Sequence, residues 1–164
     1  MSAPPRRILR AAEIAAAART FRHPLNSGSE ISGSRLGQPT GLVRVGVSMA
    51  RVPPGKESFV YHRHHAEEEW VYIFEGEGES DIEDVVERVG AGDFIGYPAG
   101  VAHTLRNVGA GDLVYLMGGE QRSVEVADFP RLGKRHVRAG ERLELVDEQA
   151  MGPLFPPETS DRGY

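Results

Sequence analysis

Three histidines and one glutamate, carried by two short segments, are the residues of this chain best suited to chemistry. The first segment runs from Gly55 to Gly76 and holds His62, His64 and Glu69; the second runs from Gly92 to Asn107 and holds His103. His62 and His64 are two apart, so on an extended strand both imidazoles leave the same face. Glu69 follows His64 by five positions, the wrong parity for one uninterrupted strand. A short turn between them lets Glu69 open the next strand and point back at the same spot. His103 comes after a Pro98-Ala99-Gly100 turn, at the start of another strand, placed to supply a fourth ligand. Neutral imidazoles with one carboxylate suit a divalent transition metal, and Fe, Mn, Zn, Ni, Cu and Co all accept that donor set. His65 has the opposite strand parity and is expected to point away. His23 and His136 stand in polar surroundings without partners at useful spacing, and both read as surface residues.

The elements that must position these side chains are short strands. Val43, Val45, Val47 and Met49 share one face of a strand that Pro53-Pro54-Gly55 ends. Residues 70–74 are aromatic and β-branched. Residues 80–82 and 85–89 form a hairpin around Glu83-Asp84, and residues 104–107 and 113–117 flank a second hairpin signal at Gly109 to Asp112. Strands at this spacing with no helices between them predict an all-β antiparallel sandwich or barrel. Upstream, Arg7 to Arg10 reads as a short strand and Glu13 to Ala18 as a helical turn. Residues 22–41, rich in Gly, Pro and Ser, predict a long irregular loop, either one that covers a binding site or a floppy excursion. Downstream, Gly133 to Arg138 reads as basic and solvated, Arg142 to Val146 as one late strand or a dimer contact, and Met151 to Tyr164 as extended or disordered.

The two segments resemble the paired motifs of the cupin superfamily. The first family motif is G, five residues, HxH, three or four residues, E, six residues, G. His62, His64, Glu69 and Gly76 match it, while Gly55 stands one residue further from the first histidine than the pattern asks. The second is G, five residues, PxG, two residues, H, three residues, N, matched by Gly92, Pro98, Gly100, His103 and Asn107. Within the Glu67-Glu68-Glu69 run, Glu69 stands seven before Gly76 and fits the motif, with Glu68 held in reserve. The resemblance implies a double-stranded β-helix, or jelly-roll barrel, with the metal inside its mouth. It divides the chain into an N-terminal extension and loop packing on the barrel (1–41), a barrel domain (42–130) and a C-terminal tail (131–164).

Parity also sorts the aromatics. If Glu69, Val71 and Ile73 face inward, Trp70, Tyr72 and Phe74 form a row on the outside. Such a row packs beneath the N-terminal segment or against a second subunit. Cupins of this kind are commonly dimers, so a homodimer is expected.

The bulk properties exclude several classes. A chain of 164 residues, 40% hydrophobic and 26% charged, suits one globular domain. Its net charge of −5 and lack of a Lys/Arg cluster argue against nucleic-acid binding. With no cysteine there is no disulfide, thiolate ligand or Cys nucleophile, which accords with a cytoplasmic protein. Nothing approaches the ~18 apolar residues of a membrane span. Arg6-Arg7 before Ile8-Leu9 is similar to a twin-arginine export signal, but Arg10, Glu13 and Arg19 break its apolar core, so it reads as mature sequence.

The expected function is that of a metal-binding enzyme acting on a small polar molecule, by dioxygenase or sugar/keto-acid isomerase-type chemistry. The alternative is a non-catalytic module that binds a sugar-like ligand or a metal. Tyr61, Tyr97, Arg44 and Arg106 are available to support the site, with no role assigned to any of them.

Overall fold

In the computed structural model, residues 7–153 are described. Two layers of antiparallel strands face each other across one apolar core. The first layer has six strands in the order β1 (Arg19–Phe21), β2 (Ile31–Arg35), β3 (Val45–Val52), β10 (Leu113–Glu120), β5 (Glu69–Glu75) and β8 (Phe94–Tyr97). The second is made of two smaller sheets. One runs β13 (Arg142–Asp147), β12 (Lys134–Ala139), β11 (Val124–Phe129), β4 (Arg63–His64); the other runs β7 (Val85–Gly90), β6 (Glu77–Ile82), β9 (His103–Asn107). A single antiparallel bridge between His62 and His103 joins these two sheets. The second layer is therefore continuous at the point where the chemistry is expected. The result is the double-layered jelly roll of the cupin type.

Alternation builds the core. Val71 and Ile73 from β5, Leu113 and Tyr115 from β10, Ala50 and Val52 from β3, and Ile95 and Tyr97 from β8 all point inward. The Val45, Val47 and Met49 face of β3 is the outer one, since Ala50 and Val52 are the buried residues of that strand. The first hairpin forms as read, with Glu83 and Asp84 both at positive φ (50° and 63°), the twist that joins two-residue hairpins.

Several expectations are corrected. Residues 7–10 are not a strand; the helix α1 (Ala11–Ala16) follows directly, against β2, where the Ser34 hydroxyl donates to the Ile14 carbonyl at 2.6 Å. Residues 22–41 are irregular only as far as residue 30. They contain β2, paired with β3, and a four-residue helix α2 (Gly37–Thr40). Gly33 explains the misreading: a Cβ there would sit 2.3 Å from the Met49 carbonyl oxygen, so this glycine permits close strand pairing instead of marking a loop. The second hairpin does not form, because β9 pairs with β6 whereas β10 runs between β3 and β5. The stretch Gly133 to Arg138 is not a solvated run but largely strand β12, half-buried against its neighbours, and Arg142 to Val146 falls in β13 beside it. The extended stretch expected over 151–164 lies, from residue 154 on, outside the described residues. Among the described residues no helix is long and apolar enough to cross a membrane.

Candidate metal centre

The four residues expected from spacing meet at one point. Oε2 of Glu69, the first residue of β5, lies 3.2 Å from His103 Nε2, 3.4 Å from His62 Nε2 and 3.6 Å from His64 Nε2. The His62 and His103 ring centroids are 4.6 Å apart, and those of His62 and His64 5.1 Å. Local structure enforces this convergence. His62 and His103 exchange backbone hydrogen bonds in both directions (3.1 and 2.8 Å), so the chains carrying them are clamped together. The turn before His103 is held by Gly100, at φ +88°, whose amide donates to the His64 carbonyl at 2.7 Å. Glu68 takes no part in the convergence, and its carbonyl accepts from the Glu120 amide.

The outward-facing ring nitrogens decide the tautomers. His62 Nδ1 lies 2.8 Å from the Val60 carbonyl oxygen and His103 Nδ1 lies 3.1 Å from the Val101 carbonyl oxygen. A carbonyl only accepts, so Nδ1 carries the proton in both rings. In the neutral form each Nε2 then aims a lone pair at a carboxylate oxygen. Protonating both nitrogens would relieve this, but only by placing imidazolium cations side by side. A cation among the four donors relieves it without that repulsion, and the donor set fits a divalent transition metal. Burial would by itself raise the Glu69 carboxyl, yet once His103 and His62 are protonated at Nε2 as well, their hydrogen bonds and the nearby imidazole charge hold it well below the usual carboxylate range, so either protonated rings or a cation keep it ionised. Burial lowers the pKa of His64, with Glu69 opposing.

Around the cluster is a cavity of about 630 Å³. Tyr97 forms part of its wall and stacks on His103 with centroids 3.7 Å apart and planes 5° apart, which fixes the imidazole plane. Its hydroxyl is paired with Ser80 at 3.1 Å, and burial pushes it up to about 12. Tyr115 is fully buried beside the same cavity, its phenol pushed strongly up by burial. Arg35 of β2 also lines the cavity and faces no carboxylate among the described residues, meeting only Gln38 at 3.5 Å. The other residues left available by sequence lie elsewhere: Arg106 pairs with Glu79, and Tyr61 packs under the Arg131 guanidinium at 3.6 Å. Arg44 is exposed and does not line the cavity.

The remaining histidines divide. His65 points away as expected, its Nε2 2.9 Å from Asp128 Oδ2. His23 is not a free surface residue: it is half-buried, edge-on to Phe21 and Phe129 at 6.0 and 5.7 Å. His136 is likewise half-buried within β12. Sequence reasoning missed Glu125 and Arg138 and weighed Glu67 only as a rival ligand. Glu67 and Glu125 face His64 Nδ1, and Arg138 pairs with Glu67. Glu67 accepts from the Arg138 guanidinium and the Arg122 amide, and burial raises its pKa.

Comparison with known proteins bears on the fold and the family. Residues 48–119 match the family model described as "Cupin domain". A protein from Acidithiobacillus ferrooxidans, provisionally named a sugar phosphate isomerase, is 35% identical; the match covers 91% of this chain and 97% of that one, with a TM-score of 0.85. A sugar phosphate isomerase of the cupin superfamily from Silicibacter pomeroyi is 23% identical over 81% of this chain and 87% of its own, with a TM-score of 0.73. A predicted oxalate decarboxylase from Thermotoga maritima is 22% identical over 70% and 99%, with a TM-score of 0.59. The last two likenesses are of fold. No curated protein matches the chain. This chain belongs to the cupin superfamily.

Proposed function

We propose that this protein is a metal-dependent enzyme of the isomerase type, acting on a small, anionic, sugar-like molecule. His62, His64, Glu69 and His103 would hold one divalent transition metal. The observation that carries the reading is the convergence of three imidazole nitrogens on one ionised carboxylate oxygen inside a cavity large enough for a small molecule. A bound divalent metal supplies a Lewis acid that polarises a substrate carbonyl or hydroxyl oxygen. The chain's own groups bind and orient. Arg35 offers a guanidinium to a phosphate or carboxylate group. Tyr115 remains a protonated phenol and so acts as a donor, and Tyr97 holds the plane of His103. The sugar-phosphate assignment is supported by the 35%-identical relative, whose provisional name carries that activity.

The same reading has two chains associating through the outer face of the six-stranded sheet. There Tyr72 (38% exposed), Phe74 (44%) and Phe94 (65%) stand beside Trp70, uncovered by α1. The activity test is interconversion of aldose and ketose phosphates followed by NMR. Turnover should cease when the protein is stripped of metal and return when a divalent metal is restored. A stripped protein that turns over at the parent rate would overturn the reading.

A further inference from the structure

We propose that Glu67 and Glu125 are the positioning residues of His64, together accepting its Nδ1–H and fixing its Nε2 toward the metal centre. The inference rests on the reading that His64 is a metal ligand. It starts from an asymmetry among the three imidazoles. His62 and His103 are each oriented by a backbone carbonyl two residues upstream. His64 has no such carbonyl: its buried Nδ1 makes no hydrogen bond, and the acceptors that face it are two carboxylates, Glu67 Oε2 and Glu125 Oε1, each at 3.8 Å.

Both acids are built in. The Glu67 side chain is 5% exposed and that of Glu125 1%. Glu125 Oε1 accepts from the amides of His65 (2.8 Å) and Ala66 (3.1 Å), while its Oε2 is buried without a partner. Glu67 is anchored by Arg138 and by the Arg122 amide. A buried carboxylate with an unfilled oxygen costs free energy unless something uses it. Two acids therefore present acceptor oxygens directly behind a candidate ligand. Acceptors there keep the proton on Nδ1 and make Nε2 a stronger donor, as carboxylates behind metal-bound histidines do. At 3.8 Å the contact is longer than a direct hydrogen bond, so it closes either by a small rotation of the ring or through one water.

The experiment uses the full chain with zinc as probe, its affinity read by chelator competition, and cobalt(II) absorption as a second readout. Glu125→Gln is the main variant, because Gln keeps an oxygen for the His65 and Ala66 amides. It should weaken zinc binding about 10- to 100-fold and shift the cobalt spectrum, while the metal-free melting temperature changes little. In a His64→Gln background, titrated to the higher zinc concentrations that its weakened site needs, the same substitution should change affinity less than twofold. Glu67→Gln combined with Arg138→Gln, which leaves no unpaired guanidinium, should act in the same direction and carries the test if Glu125→Gln does not fold. Zinc affinity unchanged in these variants, or an equal loss with and without His64, overturns the inference while leaving the metal centre standing. A parent protein that binds two zinc ions, one of them lost in Glu125→Gln, overturns it in favour of a second cation held by His64, Glu67 and Glu125. A parent that binds none removes the metal centre itself.

Discussion

A carbonyl oxygen accepts a hydrogen bond and never donates one, and at the scale of single residues that fact governs the site. It pins the tautomers of His62 and His103 and leaves their Nε2 lone pairs facing Glu69. These residues were legible in the sequence because strand parity and the turn at Gly100 leave little freedom in where they point. Glu125 and Arg138 were not legible, because the first reaches His64 and the second reaches Glu67 from strands distant in sequence and no local pattern announces those contacts. Arg35 was hidden for a different reason, lying in a segment whose glycines and serines disguised a strand. If Arg35 engages the anionic end of the substrate, Arg35→Gln should raise KM about tenfold or more, consistent with a lost charge-assisted hydrogen bond of about 1.5–3 kcal/mol, and leave kcat nearly unchanged. Steady-state kinetics check this, and a fall in kcat alone would place Arg35 elsewhere in the reaction.

At the scale of elements, two contacts, one within each layer, hold strands in the register the site needs. The first is the β2–β3 pairing through Gly33. Gly33→Ala sets a methyl against the Met49 carbonyl, and the strain should lower stability by about 1–3 kcal/mol, read from denaturant unfolding; an unchanged midpoint would mean the strands separate at no cost. The second is Asp128 of β11, fully buried and bound by Arg63 of β4, Arg135 of β12 and His65. Burial would raise its carboxyl, but the hydrogen bonds from Arg135, His65 and Arg63 hold it well below the usual carboxylate range. The unfolded chain therefore binds this proton first on acidification. The stability Asp128 contributes is complete above its unfolded value, near 3.9, and is lost as pH falls from there toward the folded value. Melting curves should show the parent losing stability below about pH 4 more steeply than Asp128→Asn; parallel curves would contradict this. The strands β3 to β7 and β9 could be read from alternation and turn residues. The pairing of β10 with β3 and β5 could not, since a glycine-rich connection looks the same whether its strands join each other or part to opposite layers.

At the scale of the whole molecule, the outer face of the six-stranded sheet carries the apolar row on which the proposed association rests. Tyr72, Phe74 and Phe94 are exposed there, and the β3 face of Val45, Val47 and Met49 continues it. Light scattering should report about twice the 17.9 kDa chain mass, and Tyr72→Asp should shift the protein toward monomer or aggregate by setting an unpaired charge in the contact. A clean monomer for the parent would refute association through this face. Elemental analysis of untagged protein purified without chelator, beside the His64→Ala, His103→Ala and Glu68→Ala variants, tests the metal centre itself. One divalent transition metal per chain is expected in the parent and in Glu68→Ala, with its loss from both histidine variants and circular dichroism unchanged. A parent without stoichiometric metal, or histidine variants that retain it, would mean that these four residues do not hold a metal.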